Sequence, residues 1–560
     1  MVRRIINLVG REIKGLHQAA YLLATFSFIS LALGLLRDRL LAYKFGASLT
    51  LDVYYSSFRI PDLLFVIMTS LVSASVLVPI FSKHLDNKPE LKKYIDSLFT
   101  VFMILMITIS TACFFFVPFL LKLTAPGLVN SELSGQLILF TRILLLSPIL
   151  LGVSQLFGGI VQAYRKFIIY AISPILYNLG IIIGIIYFYP MWGPVGLILG
   201  VCLGLVFHVL TQIPFICKRG LIPEITLKLN LKIIKEIFSL SVPRTITLAS
   251  SQLILIVLVA LASTLEAGSI SVFNFAFNLQ SVPLTIIGVS YSLAAFPTLS
   301  KFYHEGKMEN FLSELIVAVR HIVFWSLPII ALFVVLRAQI VRTILGAGEF
   351  SWSDTRLTAA ALAIFIISTL SQSLILIFVR SYYAAGKTSK PLFINLISAL
   401  TTITLSFFLI YYYDNHQAFR AYFENVLRVD GNLPSTILML PLAFSIGMIL
   451  NSVILWIYFE KDFAVISDKI KKSAFHSFTA SIFGGITAYI SLEILGDFFN
   501  LNTLPGVFLQ GLISGLAGIL AIILVLIVLK NPEVKEVWKT MNLKIFKARN
   551  KVISTGQQEL

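Results

Sequence analysis

Apolar residues run along this chain in blocks of about 20, separated by short stretches that carry charge, proline and glycine. A helix of that length crosses the hydrocarbon core of a bilayer, and it satisfies its own backbone hydrogen bonds where no water is present. The pattern predicts fourteen spans. Six lie at about 17–36, 53–81, 95–121, 133–160, 167–189 and 194–217. Six more lie at about 237–263, 269–299, 315–336, 356–384, 391–413 and 434–459, and a last pair at about 474–495 and 505–529. The first block is too long for the apolar stretch of a cleavable leader, and no small-residue cleavage site follows it. The expected fold class is an all-α polytopic membrane protein with 14 transmembrane helices.

Composition supports this reading. The apolar set makes up 58% of the 560 residues, charged residues only 13%, and mean hydropathy is +0.91. A soluble protein of this size needs about a quarter of its residues charged to cover its surface. Cys113, Cys202 and Cys217 all lie in or beside apolar blocks, which excludes a disulfide scaffold and a cysteine zinc site. The net charge of +17 suits nucleic acid until the charges are placed. Of the 44 Lys and Arg, 31 fall on the N-terminal side of the predicted membrane, 9 on the other side, and 4 within spans (Arg59, Arg142, Arg244 and Arg380). That asymmetry puts both termini in the cytoplasm and assigns the charge to anionic headgroups rather than to nucleic acid.

A weak duplication organises the spans. Pro79-Ile-Phe-Ser-Lys83 closes the second and Pro297-Thr-Leu-Ser-Lys301 closes the eighth, 218 residues later. Lys166 and Pro174 flank the fourth-to-fifth connection as Lys387 and Pro391 flank the tenth-to-eleventh. The repeat predicts an N-terminal six-helix lobe over 1–220, a second over 221–460, two extra helices over 461–530 and a basic cytoplasmic tail over 531–560. Six is even, so the lobes share one orientation, an arrangement of transporters whose site lies between the halves. The spacings Gly180/Gly184, Gly196/Gly200/Gly204 and Gly511/Gly515 predict close helix contacts.

An ionisable side chain at membrane depth costs roughly 2.5–3.5 kcal/mol unless it faces a cavity or a partner. The first two spans concentrate such groups: Arg37, Asp38, Arg39, Asp52, Arg59 and Asp62. Arg37 and Asp38 lie about 100° apart on a helix, so both cannot face lipid. Pro61 interrupts the ladder two residues after Arg59 and permits a kink beside the charge. Arg37 and Arg59 are therefore read as lining a polar cavity, and Arg39 and Asp62 as outer-interface groups. Arg142 fits cavity and interface equally, while Arg244 and Arg380 reach the cytoplasmic headgroups. The amides Asn178, Gln252, Asn274 and Asn278 either line a polar path or hydrogen-bond between helices. His208 is either a satisfied core histidine or a proton relay.

Nothing points to an enzyme. Gly386-Lys387-Thr388 resembles the end of a P-loop, but Ser381 stands where the first glycine is required. HExxH and GxSxG are absent, and the longest non-membrane stretch, 414–433, is too short for a catalytic domain. No ATP, cofactor or metal is expected, and a coupling ion is left open.

Several segments carry a family resemblance: LGLLRDRLLAYKFGASLTLDVYYSSFRIPDLL at 33–64, VSASVLVPIFSKHL at 72–85, GGIVQAYRKFIIYAISPILYNLGIIIG at 158–184, EAGSISVFNFAFNLQSVPLTIIGVSYSLAAFPTLSK at 266–301 and VRSYYAAGKTSKP at 379–391. Across about 20–530 the chain resembles the MurJ/MviN family of lipid II flippases, within the multidrug/oligosaccharidyl-lipid/polysaccharide exporter superfamily. The resemblance implies fourteen helices and a cationic central cavity for the pyrophosphate and sugar headgroup of a polyprenyl-diphosphate-linked peptidoglycan precursor. It also implies a lipid-tail groove on the last two helices and a place in the bacterial cytoplasmic (inner) membrane. Residue by residue, the first-helix Arg-Asp pair falls on Arg37 and Asp38, the second-helix acid on Asp52, and the base before the hydrophobic-Pro step on Arg59. The sequence departs from the family at Leu31, at Phe65-Val66, near Thr69–Ser70, and at Phe277-Asn278, positions where charged residues are expected.

The expected substrate-binding set is thus Arg37, Asp38, Asp52, Arg59 and Asn278, with Arg39, Arg142, Gln252 and Asn274 as secondary candidates. The expected partners are the lipid-linked saccharide and membrane lipids, moved by alternating access without ATP. The alternative is a related transporter of another lipid-linked oligosaccharide, or an ion-coupled small-molecule exporter.

Overall fold

A computed structural model describes residues 16–69, 77–78, 81, 87–226, 245, 249–429 and 434–538. Helices dominate, and no strand occurs among the described residues. Among the described residues, eleven helices, the first Lys88–Thr124 and the last Leu504–Val528, are long and apolar enough to cross a membrane. The remaining expected spans coincide with the helix Leu16–Phe45, the consecutive helices Leu49–Ser57 and Arg59–Thr69, and the apolar helix Ala249–Ser263. The chain is a multi-pass all-α membrane protein, and fourteen crossings are compatible with these elements. Pro79, Ile80, Ser82 and Lys83 of the first repeat motif, the first part of the seventh span with Arg244, and the basic tail from Lys539 onward lie outside the described residues.

The break in the second span has a local cause. The helix Leu49–Ser57 ends at Phe58, and a new helix starts at Arg59. Pro61 sits in the first turn of that new helix, where a missing N–H breaks no bond of the ladder. The chain therefore bends one residue before the arginine, and the amide of Asp62 donates to the carbonyl of Phe58 at 2.8 Å.

Contacts divide the chain into two compact units. One comprises residues 1–275, 344–358 and 395–443, and the other 276–343, 359–394 and 444–560. This differs from a division by chain order, in which 221–275, 344–358 and 395–443 fall to the second lobe. The boundaries lie inside long helical stretches such as Ser269–His304 and Ser389–Asn415. At about 1.5 Å per residue such helices reach past one set of neighbours into another.

In lipid there is little hydrophobic drive between helices, so close packing holds them together. In the first unit the small-residue pattern performs this role. A Cβ on Gly180 would lie 2.3 Å from Gly204 Cα, and one on Gly184 2.5 Å from Gly200 Cα, so these backbones touch. An apolar core from Leu77, Phe81 and Phe102 to Ile160, Ile169 and Leu221 packs in the same unit. In the second unit, Phe311, Ile322, Phe378, Tyr382 and Phe459 belong to one core, and Phe324, Leu332, Ala480 and Ile522 to another. A Cβ on Gly484 would meet Ile522 at 2.2 Å, which brings the last two helices together.

Candidate functional site

The charged residues of the first two spans gather in the first unit, and each is held by a different element. Arg37 and Asp38 lie on the helix Leu16–Phe45. Arg37 donates from Nε (2.9 Å) and Nη2 (2.8 Å) to Asp38 Oδ1, and from Nη1 (3.3 Å) to Oδ1 of Asn178. Asn178 arrives on the helix Phe167–Ile183 and fixes its own amide by donating to the carbonyl of Pro174 at 3.1 Å. Asp38 is 3% exposed. A carboxylate that deep requires its cation, so this pair is a tightly held unit rather than a loose surface bridge.

Arg59 is held more sparingly. It is buried at the start of its helix, and Nη2 donates to Asn274 Oδ1 at 2.5 Å. The Asn274 amide in turn donates to the carbonyl of Ile270 at 2.7 Å. Arg59 Nε has no partner among the described residues. A guanidinium with five donors and one amide acceptor retains the capacity to bind an anion. Three residues on, one helical turn away, Asp62 is half-buried and is the acid whose charge acts on Arg59.

Between the arginines stand Tyr54 and Tyr55. Tyr54 packs edge-on against Phe58 at 5.0 Å, and Tyr55 against Phe275 at 5.9 Å. Arg37, Asp38 and Asp62 act electrostatically on the Tyr54 phenol, and Arg37, Asp38 and Arg59 on that of Tyr55. The Tyr55 hydroxyl also lacks a partner among the described residues. The result is a cluster of two cations, two carboxylates and two phenols, in which Asp38, Tyr54 and Arg59 are buried and Arg37, Tyr55 and Asp62 half-buried, with donors left over at Arg59 and Tyr55.

Asp52 has another task. Its Oδ2 accepts from the Gly268 amide at 2.7 Å, and its Oδ1 from the Ser271 amide (2.7 Å) and hydroxyl (2.6 Å). These are first-turn donors of the helix Ser269–Leu284, so Asp52 satisfies a helix N-terminus and complements its dipole. Gly268 makes this approach possible: its φ is +91°, and a Cβ there would lie 2.4 Å from the carbonyl of Ala47.

The other sequence candidates scatter. Arg39 donates to the carbonyl of Ile344 at 3.2 Å. Arg142 lies over the exposed ring of Phe114 at 4.9 Å and donates to that residue's carbonyl, away from the Arg37–Arg59 cluster's hydrogen bonds. Gln252 is half-buried on the helix Ala249–Ser263. Asn278 belongs to the second unit, where its carbonyl accepts from Ser281 at 2.7 Å. His208 bonds the Ser154 hydroxyl through Nδ1 at 2.7 Å, beside Gln212 and Thr211, as a satisfied core histidine does. Sequence reading did not single out the Tyr54–Tyr55 doublet, because hydropathy counts tyrosine with the apolar residues. It also left Asn178 among many amides, and only its distance from Arg37 distinguishes it.

A family model described as lipid II flippase MurJ matches residues 41–509. A probable lipid II flippase MurJ of Buchnera aphidicola subsp. Acyrthosiphon pisum is 29% identical over 402 residues, covering 70% of this chain and 77% of that protein. A lipid II flippase MurJ of Burkholderia cenocepacia is 26% identical over 385 residues, covering 67% and 75%. Among solved structures, a lipid II flippase MurJ in an inward closed conformation superposes with a TM-score of 0.69 at 22% identity, over 90% of this chain and 98% of that one. An inward-facing multidrug resistance MATE transporter superposes with a TM-score of 0.64 at 14% identity, over 78% and 96%. The structural likenesses are likenesses of fold.

Proposed function

Because this chain belongs to the lipid II flippase MurJ family, we propose that it carries lipid II, a polyprenyl-diphosphate-linked peptidoglycan precursor, from the cytoplasmic to the outer leaflet of a bacterial cytoplasmic membrane. The observation that supports this most directly is Arg59, buried in a membrane-spanning unit with a donor unoccupied. A diphosphate supplies the acceptors that such a group lacks, and charge-assisted hydrogen bonds to it are about twice as strong as neutral ones. Arg37, neutralised by Asp38 and steadied by Asn178, is the second donor.

Transport proceeds by alternating access without ATP or a bound cofactor, with both termini in the cytoplasm. Asp52 on Gly268 and Ser271, Arg39 on the Ile344 carbonyl, and the Glu349 amide on the Tyr43 carbonyl (3.0 Å) join chain segments at the outer end of the first unit. These are the contacts that an outward-opening step breaks. An inside-negative potential assists outward movement of the anionic headgroup by about 2.3 kcal/mol per charge per 100 mV. The test is headgroup accessibility in liposomes of defined lipids, comparing wild type with Arg37→Ala and Arg59→Ala. Wild type exposes the headgroup of lipid II and both variants do so more slowly; equal rates in all three remove the cation roles, and no exposure by wild type removes the function.

A further inference from the structure

Asp62 is a carboxylate in the middle of the charge cluster to which the reading above gives no task. It lies on the same helix as Arg59, three residues later, so the two side chains share one face. It is half-buried, accepts no hydrogen bond from a described residue, and forms no ion pair of contact distance with Arg59. Asp38 and Asp52, by contrast, are fully occupied by Arg37 and by a helix terminus. Arg59 meanwhile keeps Nε unoccupied.

We propose that Asp62 is a specificity-determining residue that competes with the anionic headgroup for Arg59, so that binding of a diphosphate lipid brings a proton onto Asp62. The inference rests on the flippase reading. An anion seated on the Arg59 guanidinium stands within one turn of the Asp62 carboxylate, with little water to screen the two like charges. Protonating Asp62 removes the repulsion. By linkage, a group that gains a proton when a ligand binds makes the ligand bind more tightly at lower pH, by up to tenfold per pH unit for one proton. The diphosphate of lipid II is esterified at both ends and keeps its charge between pH 6 and 8, so the dependence belongs to the protein.

The other groups around Asp62 leave it as the free acceptor of that proton. On the adjoining helices, Tyr54 and Tyr177 are the phenols on which its charge acts. Arg37 and Asp38 neutralise each other, and Arg142 is turned onto Phe114. The helix Leu146–Ala163, which also packs on this segment, carries no titratable side chain, and on the helix Lys88–Thr124, which packs there too, Lys92 is paired with Asp96 and Glu224.

The experiment measures binding of lipid II to the full chain in nanodiscs of neutral lipid at pH 6 and pH 8, with proton uptake read in weakly buffered solution. Wild type is expected to bind at least tenfold more tightly at pH 6 and to take up close to one proton per lipid bound. Asp62→Asn is expected to bind at pH 8 about as tightly as wild type does at pH 6, with no uptake. Asp62→Glu, which keeps the acid, retains the slope. Arg59→Ala binds weakly at both pH values. A pH-independent wild type, or an Asp62→Asn protein with the wild-type slope and uptake, overturns the proposal while leaving the flippase reading in place. If wild type binds no lipid II at either pH, both fall together.

Discussion

The two units handle buried charge differently. In the first, Asp38, Asp52 and Arg59 are nearly inaccessible within or beside predicted spans: Asp38 is held by its neighbour Arg37, which Asn178 steadies, Asp52 by the Ser269–Leu284 helix start, and Arg59 by Asn274. In the second, His476 on the helix Ser467–Gly496 is buried to that degree, as is Glu533, beyond the last long helix. It meets Arg320 at 2.5 Å (Nη2) and 2.6 Å (Nε), and Lys390 pairs with Asp462 at a helix end. The first unit thus keeps Arg59 at depth with Nε unoccupied, whereas in the second Arg320 is paired with Glu533 and Lys390 with Asp462. A membrane protein retains an expensive unpaired donor where a ligand completes it, and elsewhere it neutralises charge in pairs.

That contrast is open to direct test. Arg59→Ala is expected to lower the rate of headgroup exposure in liposomes by at least tenfold while the protein stays folded; a normal rate would dissolve the distinction between the units. Arg320→Ala should do the reverse. It leaves Glu533 buried without its cation, a loss of about 3 kcal/mol in stability. Thermal unfolding in detergent should show this, with little change in rate per folded molecule. Asp52→Ala, which strips two amides of their cap, is expected to cost about 1–2 kcal/mol, and Ser271→Ala less, by the same unfolding measurement.

The smallest effect concerns the surface helix Gln417–Leu427, outside the spans. Burial pushes the Glu424 carboxyl up, but hydrogen bonds from Ser435, Arg420 and Tyr413 more than offset it and hold it below its usual range. A depressed acid stabilises the fold above its unfolded pKa of about 4.3 and loses that contribution as pH falls through the folded value. Wild type should therefore lose stability below about pH 4 more steeply than Glu424→Gln, as followed by thermal unfolding at pH 3 to 6.

Much of this was legible in the sequence because lipid imposes a simple rule. Blocks of fixed length read as helices whatever their neighbours, and charges inside such blocks announce themselves, as Arg37, Asp38 and Arg59 did. The partners of those charges were not legible. Asn178 and Asn274 look like any other membrane amide, and Tyr54 and Tyr55 like any other apolar pair. Asp52 reads as one more cavity acid until the start of a helix more than 200 residues later is found against it.

The sequence by itself therefore determined the class of the molecule, the place of its spans and which residues carry charge into the membrane, since these depend on local length and polarity. Only the tertiary structure decided which charges are neutralised and which keep a donor in reserve, since hydrogen bonds act over about 3 Å and the residues that make them here lie on helices far apart in the chain.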